Sequence, residues 1–287
     1  MARVYNSKKF GDSWKSLLAD LCALPPGPSP RGSLTKEFLN VTVSVQLGNH
    51  NVLVSPTRNL NYRFMIAEWL WIMAGLSNVA MLDKYNTKMY QFSDDGNTLA
   101  GAYGPRLMPQ MSYVLSKLKQ QDSRQAVATI WTPSPRDSKD IPCTISLQWF
   151  VRDKHVHCTI NMRSSDVWLG LPYDFFNFSQ VTNWVAANMN LPMGSVTMNL
   201  ASSHLYETHF DVGHRAAAGV IETLASPDIN LSGFPSSEEI QRMLVAPKVE
   251  FQEIRLPPTS FTWYEQALAS NKQLALEVLR DISPKVI

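Results

Sequence analysis

Residues 145–162 hold two runs of strict two-residue alternation. Ile145, Leu147, Trp149 and Val151 are apolar, as are Val156, Cys158, Ile160 and Met162, with mostly polar side chains between them. A strand exposes successive side chains on opposite faces, so each run predicts a half-buried strand. The intervening Arg152-Asp153-Lys154 predicts an antiparallel hairpin. Around this hairpin the period changes to that of helices. Trp14, Leu17, Leu18 and Leu21 share one helical face, and Met108–Lys119, about Phe176–Met189 and Phe261–Asp281 also read as helices, the last of them long. Ser236 with Glu239 is a capping-box pattern that opens one more. Asn40–Leu47 and Ser195–Ser203 read as further strands. Pro25-Pro26-Gly27-Pro28-Ser29-Pro30 lacks the amide donors of a helix or central strand and is a loop; Thr132–Pro142 is another, and Ser93–Asn97 is a turn. Long helices mixed with hairpins indicate an α+β domain, expected to be a single unit over residues 1–287.

Charge and cysteine usage narrow the partners. Twenty-six basic against twenty-four acidic residues leave a net charge of +2, too little for a surface that wraps nucleic acid or lies on a membrane. No nucleic-acid or membrane partner is expected, and any polyanion must be met locally. Three cysteines and an N-terminus without an apolar secretion segment point to the reducing cytoplasm. The most apolar run, Phe64–Gly75, is interrupted by Glu68 and falls short of the roughly 20 residues a bilayer span needs, so it is a core helix.

The chemistry concentrates in one stretch. Cys143 is followed about twenty residues later by Arg163-Ser164-Ser165-Asp166 and then Tyr173-Asp174. A cysteine is nucleophilic only as thiolate, which nearby positive charge favours, and Arg163 is the candidate. Taken alone, Cys143 reads more readily as a small buried hydrophobe, and its context has to overturn that. Glu68 lies within Ala67-Glu68-Trp69-Leu70-Trp71, where an unpaired carboxylate on an apolar helix is costly to bury. It therefore has either a role in a site or a place on the rim.

Pro142-Cys143, Arg163-Ser164-x-Asp166-Val167-x-Leu169-Gly170-Leu171-Pro172 and His204-Leu205-Tyr206 fall in the order and spacing of thymidylate synthase and its hydroxymethylase relatives. Arg31, Glu68 with Trp71, Tyr103-Gly104 and Ser123-Arg124 extend this resemblance upstream, and the region after about residue 215 diverges. It implies a mixed, mainly antiparallel sheet packed with helices and a homodimer through the sheet face. It implies also that Cys143 adds to C6 of a pyrimidine nucleoside monophosphate, which activates C5 toward 5,10-methylenetetrahydrofolate as cosubstrate. Arg31, Arg163 and Ser164, with Arg124 reaching across the dimer interface, would hold the 5′-phosphate. His204 and Tyr206 would touch the sugar, Asp166 the folate pterin. Glu68, supported by Tyr103, would order water and move protons around the base and beside the folate.

Departures from the synthase pattern bear on the substrate. Where synthases place an asparagine that reads uracil, this chain has Asp174. Cytosine offers an amino donor at C4 and a bare N3, which a carboxyl group sharing one proton matches. Thr144, Met162, Met89 and Gln125 replace a histidine, a glutamine, a tryptophan near the folate and a second phosphate arginine. Loss of that aromatic wall admits water to the exocyclic methylene. The resemblance and these departures together imply hydroxymethylation of dCMP, or of CMP, in the cytoplasm, or in the host cytoplasm if the protein is phage-encoded. The rivals are a cytidylate methylase that keeps the hydride step, with the Pro284-Lys285-Val286-Ile287 tail closing the site, a uridylate-using enzyme, and a catalytically silent nucleotide- or RNA-binding descendant.

Overall fold

The hairpin forms as its alternation demands and anchors the largest sheet. The computed structural model of the chain describes residues 2–134, 136–246 and 263–283, the Arg31 side chain excepted. The strands are β1 (Arg3–Ser7), β2 (Thr35–Val45), β3 (Val52–Val54), β4 (Val127–Thr129), β5 (Thr144–Arg152), β6 (His155–Met162), β7 (Ser165–Asp166), β8 (Met193–Tyr206) and β9 (Glu222–Leu224). Six of them run β1-β2-β8-β6-β5-β4 across one mixed sheet; β7 pairs with β8, and β3 with β9 makes a separate two-stranded sheet. The longest ladders, β2 with β8 and β5 with β6, are antiparallel.

Alternation fixes which face is covered. Val41, Val43 and Val45, Leu147 and Trp149, Val156, Cys158, Ile160 and Met162, and Val196, Met198 and Leu200 all turn to one side and are buried. The opposite face carries a polar stripe linked strand to strand: Thr42 to Asn199 (3.1 Å), Asn199 to Asn161 (3.1 Å) and Asn161 to Ser146 (3.1 Å). Ile145 breaks the expected pattern. The register slips between Thr144 and Ser146, so Ile145 leaves the phase of Leu147 and stands 37% exposed.

Helices cover the apolar face and place the loops of the site. Helix α1 (Phe10–Cys22) buries Phe10, Trp14, Leu17, Leu18 and Leu21, and the Trp14 indole donates to the Val167 carbonyl at 2.7 Å, tying this helix to the segment after Asp166. Helix α2 (Tyr62–Met73) is capped by Asn61, whose side chain accepts from the Phe64 amide; every residue in it except Glu68 is buried. The short helices α3 (Ala80–Asp83) and α4 (Gly104–Leu107) precede α5 (Met111–Leu118), which a 3-10 turn over Met108–Gln110 leads in. At Gly104 a β-carbon would lie 2.7 Å from the Ile72 carbonyl, so glycine is what lets the chain carrying Tyr103 approach the end of α2. Helix α6 spans Leu171–Met189, five residues longer at its start than its apolar spacing predicts, because Pro172 is tolerated in a first turn. Phe10 stacks on Phe175 with ring centroids 4.1 Å apart, joining α1 to α6. Helix α7 (Phe210–Ala218) follows, and α8 (Ser237–Val245) opens on the predicted capping box of Ser236 and Glu239.

The long C-terminal helix is instead two, α9 (Trp263–Ala269) and α10 (Lys272–Ile282). Asn271 caps the second by accepting from Gln273 and Leu274 amides, which stops the first. The expected start at Phe261 and the tail Pro284–Ile287 lie outside the described residues. Helix α9 packs behind α2: Trp263 stacks on Trp69 at 5.8 Å, and Arg63 Nε donates to the Leu268 carbonyl at 2.7 Å. Among the described residues no helix is long and apolar enough to cross a membrane.

Candidate active site

Hairpin register assembles the first part of the site. Thr144 pairs with Met162 at the end of β5 and β6, so Cys143 and Arg163, the next residues out, meet across the ladder. The Arg163 amide donates to the Cys143 carbonyl at 2.8 Å, while its guanidinium donates through Nε to the Pro142 carbonyl (2.9 Å) and through Nη2 to that of Ile141 (2.8 Å). Arg163 thereby brackets the segment that presents the thiol.

A cavity of about 800 Å³ opens beside this bracket. Cys143, Arg163, Ser164, Asp166, Glu68, Asp174, His204 and Tyr206 all line it, along with apolar Phe64, Met89, Phe92 and Leu169. Short strand β7 runs parallel to β8 and pairs Asp166 with His204. Asp166 Oδ1 accepts from the Trp168 and Leu169 amides at 2.7 and 2.9 Å, and Oδ2 is buried with no partner among the described residues. His204 and Tyr206 meet edge to face at 5.0 Å on one strand face, opposite Glu37 and Thr35 of β2.

Two carboxyls reach the cavity from α2 and α6. Glu68 Oε2 accepts from Asn177 Nδ2 at 2.8 Å; burial pushes its carboxyl up to about 7, against the opposing effect of that bond. Asp174, in the first turn of α6, is held well above the usual carboxylate range by burial and then by the Glu68 charge. In this setting Asp174 holds a proton more tightly than an ordinary carboxyl does, and a protonated carboxyl can donate as well as accept. Half-buried Tyr103 stacks on Phe178 at 5.5 Å, its phenol raised by desolvation and then by Asp174 and Cys143.

The raised Glu68 group makes a stability prediction. The folded chain holds this proton to higher pH than the unfolded one, so its stabilising contribution is complete below the ordinary value of 4.5 and is lost as pH rises to about 7. Glu68→Gln removes that dependence while still accepting from Asn177. Urea unfolding should show the variant gaining on the wild type across this window, by on the order of 2 kcal/mol after allowing for solvent in the cavity. A difference that stays constant with pH would contradict the raised Glu68 carboxyl.

Other expected residues lie elsewhere. Arg124 is exposed just before β4, its carbonyl accepting from Gln148 at 2.9 Å, and it does not line the cavity of its own chain. Arg31 belongs to the turn Pro30–Gly32, whose Pro30 borders the cavity; its side chain is outside the described residues. Of the departures, Met89 lines the cavity, Thr144 and Met162 are buried, and Gln125 is exposed.

Two residues escaped the sequence reading. Arg58 lines the cavity, donating through Nε to the Trp168 carbonyl at 2.6 Å with its guanidinium 5.2 Å from the Trp168 ring. It comes from an irregular segment with no periodicity to flag it. Asn177, in Phe175-Phe176-Asn177-Phe178, is a polar residue in an apolar helix, the same signal that singled out Glu68. Among the described residues no cluster of three His, Cys, Asp or Glu side chains is arranged to hold a metal ion.

The thymidylate synthase family model matches residues 28–247, most of the chain and all of the cavity-lining positions. One curated relative, the deoxyuridylate hydroxymethyltransferase of Bacillus phage SP01, is 32% identical over 199 residues, which cover 62% of this chain and 52% of the relative. The chain thus spans about half the length of that relative. The hairpin-end cysteine, the arginine bracket and the cavity built on them sit inside the family match, and the chain belongs to the thymidylate synthase family.

Proposed function

We propose that the chain is a folate-dependent pyrimidine nucleotide hydroxymethylase acting on dCMP, or CMP, to give the 5-hydroxymethyl nucleotide and tetrahydrofolate. The observation that carries this reading is Asp174 itself, a carboxyl in the cavity also lined by Cys143, which burial and the Glu68 charge push toward the protonated form. Its oxygen accepts from the cytosine amine while its proton is shared with N3, and that sharing strengthens as charge builds on N3 after thiolate addition at C6.

The remaining residues take their parts around this contact. Cys143 forms the bond to C6 and leaves again once C5 has taken the one-carbon unit and given up its proton to water. Arg163 and Ser164 bind the 5′-phosphate, with Arg31, and with Arg124 from a second copy joined through the polar face of the sheet. His204 and Tyr206 hold the sugar hydroxyl. Asp166 offers to the pterin amino edge its Oδ2, which has no partner among the described residues, and the apolar wall of Phe64, Met89, Phe92 and Leu169 suits the flat ring system. Methylenetetrahydrofolate supplies the one-carbon unit at the oxidation level of formaldehyde, so water completes the product without a hydride and the folate leaves as tetrahydrofolate. Glu68 orders the water and accepts its proton, and Tyr103 supports it.

The name of the phage relative favours a second reading, in which dUMP is the substrate. Purified protein incubated separately with dCMP, CMP and dUMP plus methylenetetrahydrofolate, with products weighed and dihydrofolate measured, decides among these. The proposal expects a CH2OH gain on a cytidylate with no dihydrofolate. A CH3 gain with dihydrofolate would make the protein a methylase, and product from dUMP alone would overturn the cytidylate assignment.

A further inference from the structure

Asn177 follows Asp174 by three residues on α6, so the two side chains share the helix face turned toward Glu68. Its Nδ2 donates to Glu68 at 2.8 Å; the residue is 1% exposed, and its Oδ1 is buried with no partner among the described residues. A buried amide with one end unmet is poorly suited to packing alone. No hydrogen bond from a described residue reaches the Asp174 carboxyl. Among the described residues, Glu68 of this pair thus has a donor and Asp174 has none.

We propose that Asn177 is the positioning residue that decides which of the two carboxyls keeps the shared proton, holding the charge on Glu68 and leaving Asp174 protonated to read a 4-aminopyrimidine. The base choice rests on the reading of Asp174 given above; the proton placement stands on the geometry. An ionised carboxylate only accepts, so a donor at 2.8 Å favours the charged form of Glu68. Two like charges in one cavity disfavour each other, so a proton goes preferentially to the carboxyl without a donor.

Among the described residues, no hydrogen bond from another group reaches either carboxyl. Arg163, following β6, and Arg58, preceding α2, direct their bonded nitrogens to main-chain carbonyls. Tyr103, before α4, is held neutral by burial, and Tyr173 on α6 accepts from the Asn61 amide. Cys143 stands at the head of β5 and Asp166 bonds its own turn. The reversed amide would set Oδ1 against Glu68 and require a protonated Glu68, so the order of titration separates the two orientations.

The test is a side-chain carboxyl ¹³C NMR titration of the unliganded protein, with Glu68→Gln and Asp174→Asn assigning the signals. It is run on wild type, Asn177→Leu and Asn177→Ser, together with kcat/KM for dCMP and dUMP. Glu68 is expected to ionise before Asp174 in the wild type. In Asn177→Leu its midpoint should rise by about one pH unit or more, and the preference for dCMP over dUMP should fall about tenfold. Asn177→Ser, which keeps a donor, should restore part of both and reads the same midpoint if the leucine variant does not fold. An Asp174 that ionises first, or a Glu68 midpoint indifferent to both substitutions, would overturn the proposal. Turnover of dUMP alone with the midpoint shift intact would support the proton placement and overturn the base assignment.

Discussion

Asp174→Asn is expected to lower kcat/KM for dCMP roughly a thousandfold and to make dUMP the better substrate. The size follows from how polar sites discriminate: a site shaped to hydrogen-bond one pattern leaves buried groups unpaired against the other, which separates substrates far more than a misfit of apolar surface does. The amide introduced by this substitution would donate to O4 of uracil and accept from N3–H, whereas against cytosine its NH2 would confront an amine or its oxygen the bare N3. It cannot share a proton with N3, so the charge that develops after addition at C6 loses its partner. Steady-state kinetics with both nucleotides measure the effect. An unchanged ratio of kcat/KM would place the base edge away from α6.

The second large effect is expected at the sulfur. Cys143→Ala should reduce turnover by at least about ten-thousandfold, since removing a nucleophile abolishes the covalent route and leaves only binding and solvent. Nucleotide affinity should change by less than about tenfold, because the Arg163 bracket holds the main-chain carbonyls of Ile141 and Pro142 and does not depend on the thiol. Calorimetric titration with dCMP alongside product analysis tests both halves. A binding protein without chemistry would show no loss, and a variant that neither binds nor turns over would point to a structural role for this cysteine.

Much of this arrangement was legible in the chain because the site follows local periodicity. The alternation of 145–162 predicts the hairpin, and the hairpin register brings residues 143 and 163 together. Glu68 was legible as a charge in an apolar helix. Boundaries were less so, for identifiable reasons: the slip at Ile145 inverts one side chain without altering composition, Pro172 starts α6 earlier than its apolar face suggests, and Asn271 divides one amphipathic stretch into two helices. Strand β1 is too short and exposed to announce itself. Arg58 is set by the packing of a loop against Trp168, which no spacing encodes. Arg124 is exposed and does not line the cavity of its own chain, which no local spacing could tell.

Exchange of the C5 hydrogen with solvent isolates the central step, because it requires thiolate addition at C6 and recognition of the base edge but no folate. In deuterated buffer with nucleotide alone, proton NMR should show the C5 signal of dCMP fading in the presence of the wild-type protein, more slowly for dUMP, and not at all with Cys143→Ala. Persistence of the C5 signal in dCMP, or its loss at an equal rate with Cys143→Ala, would contradict the account.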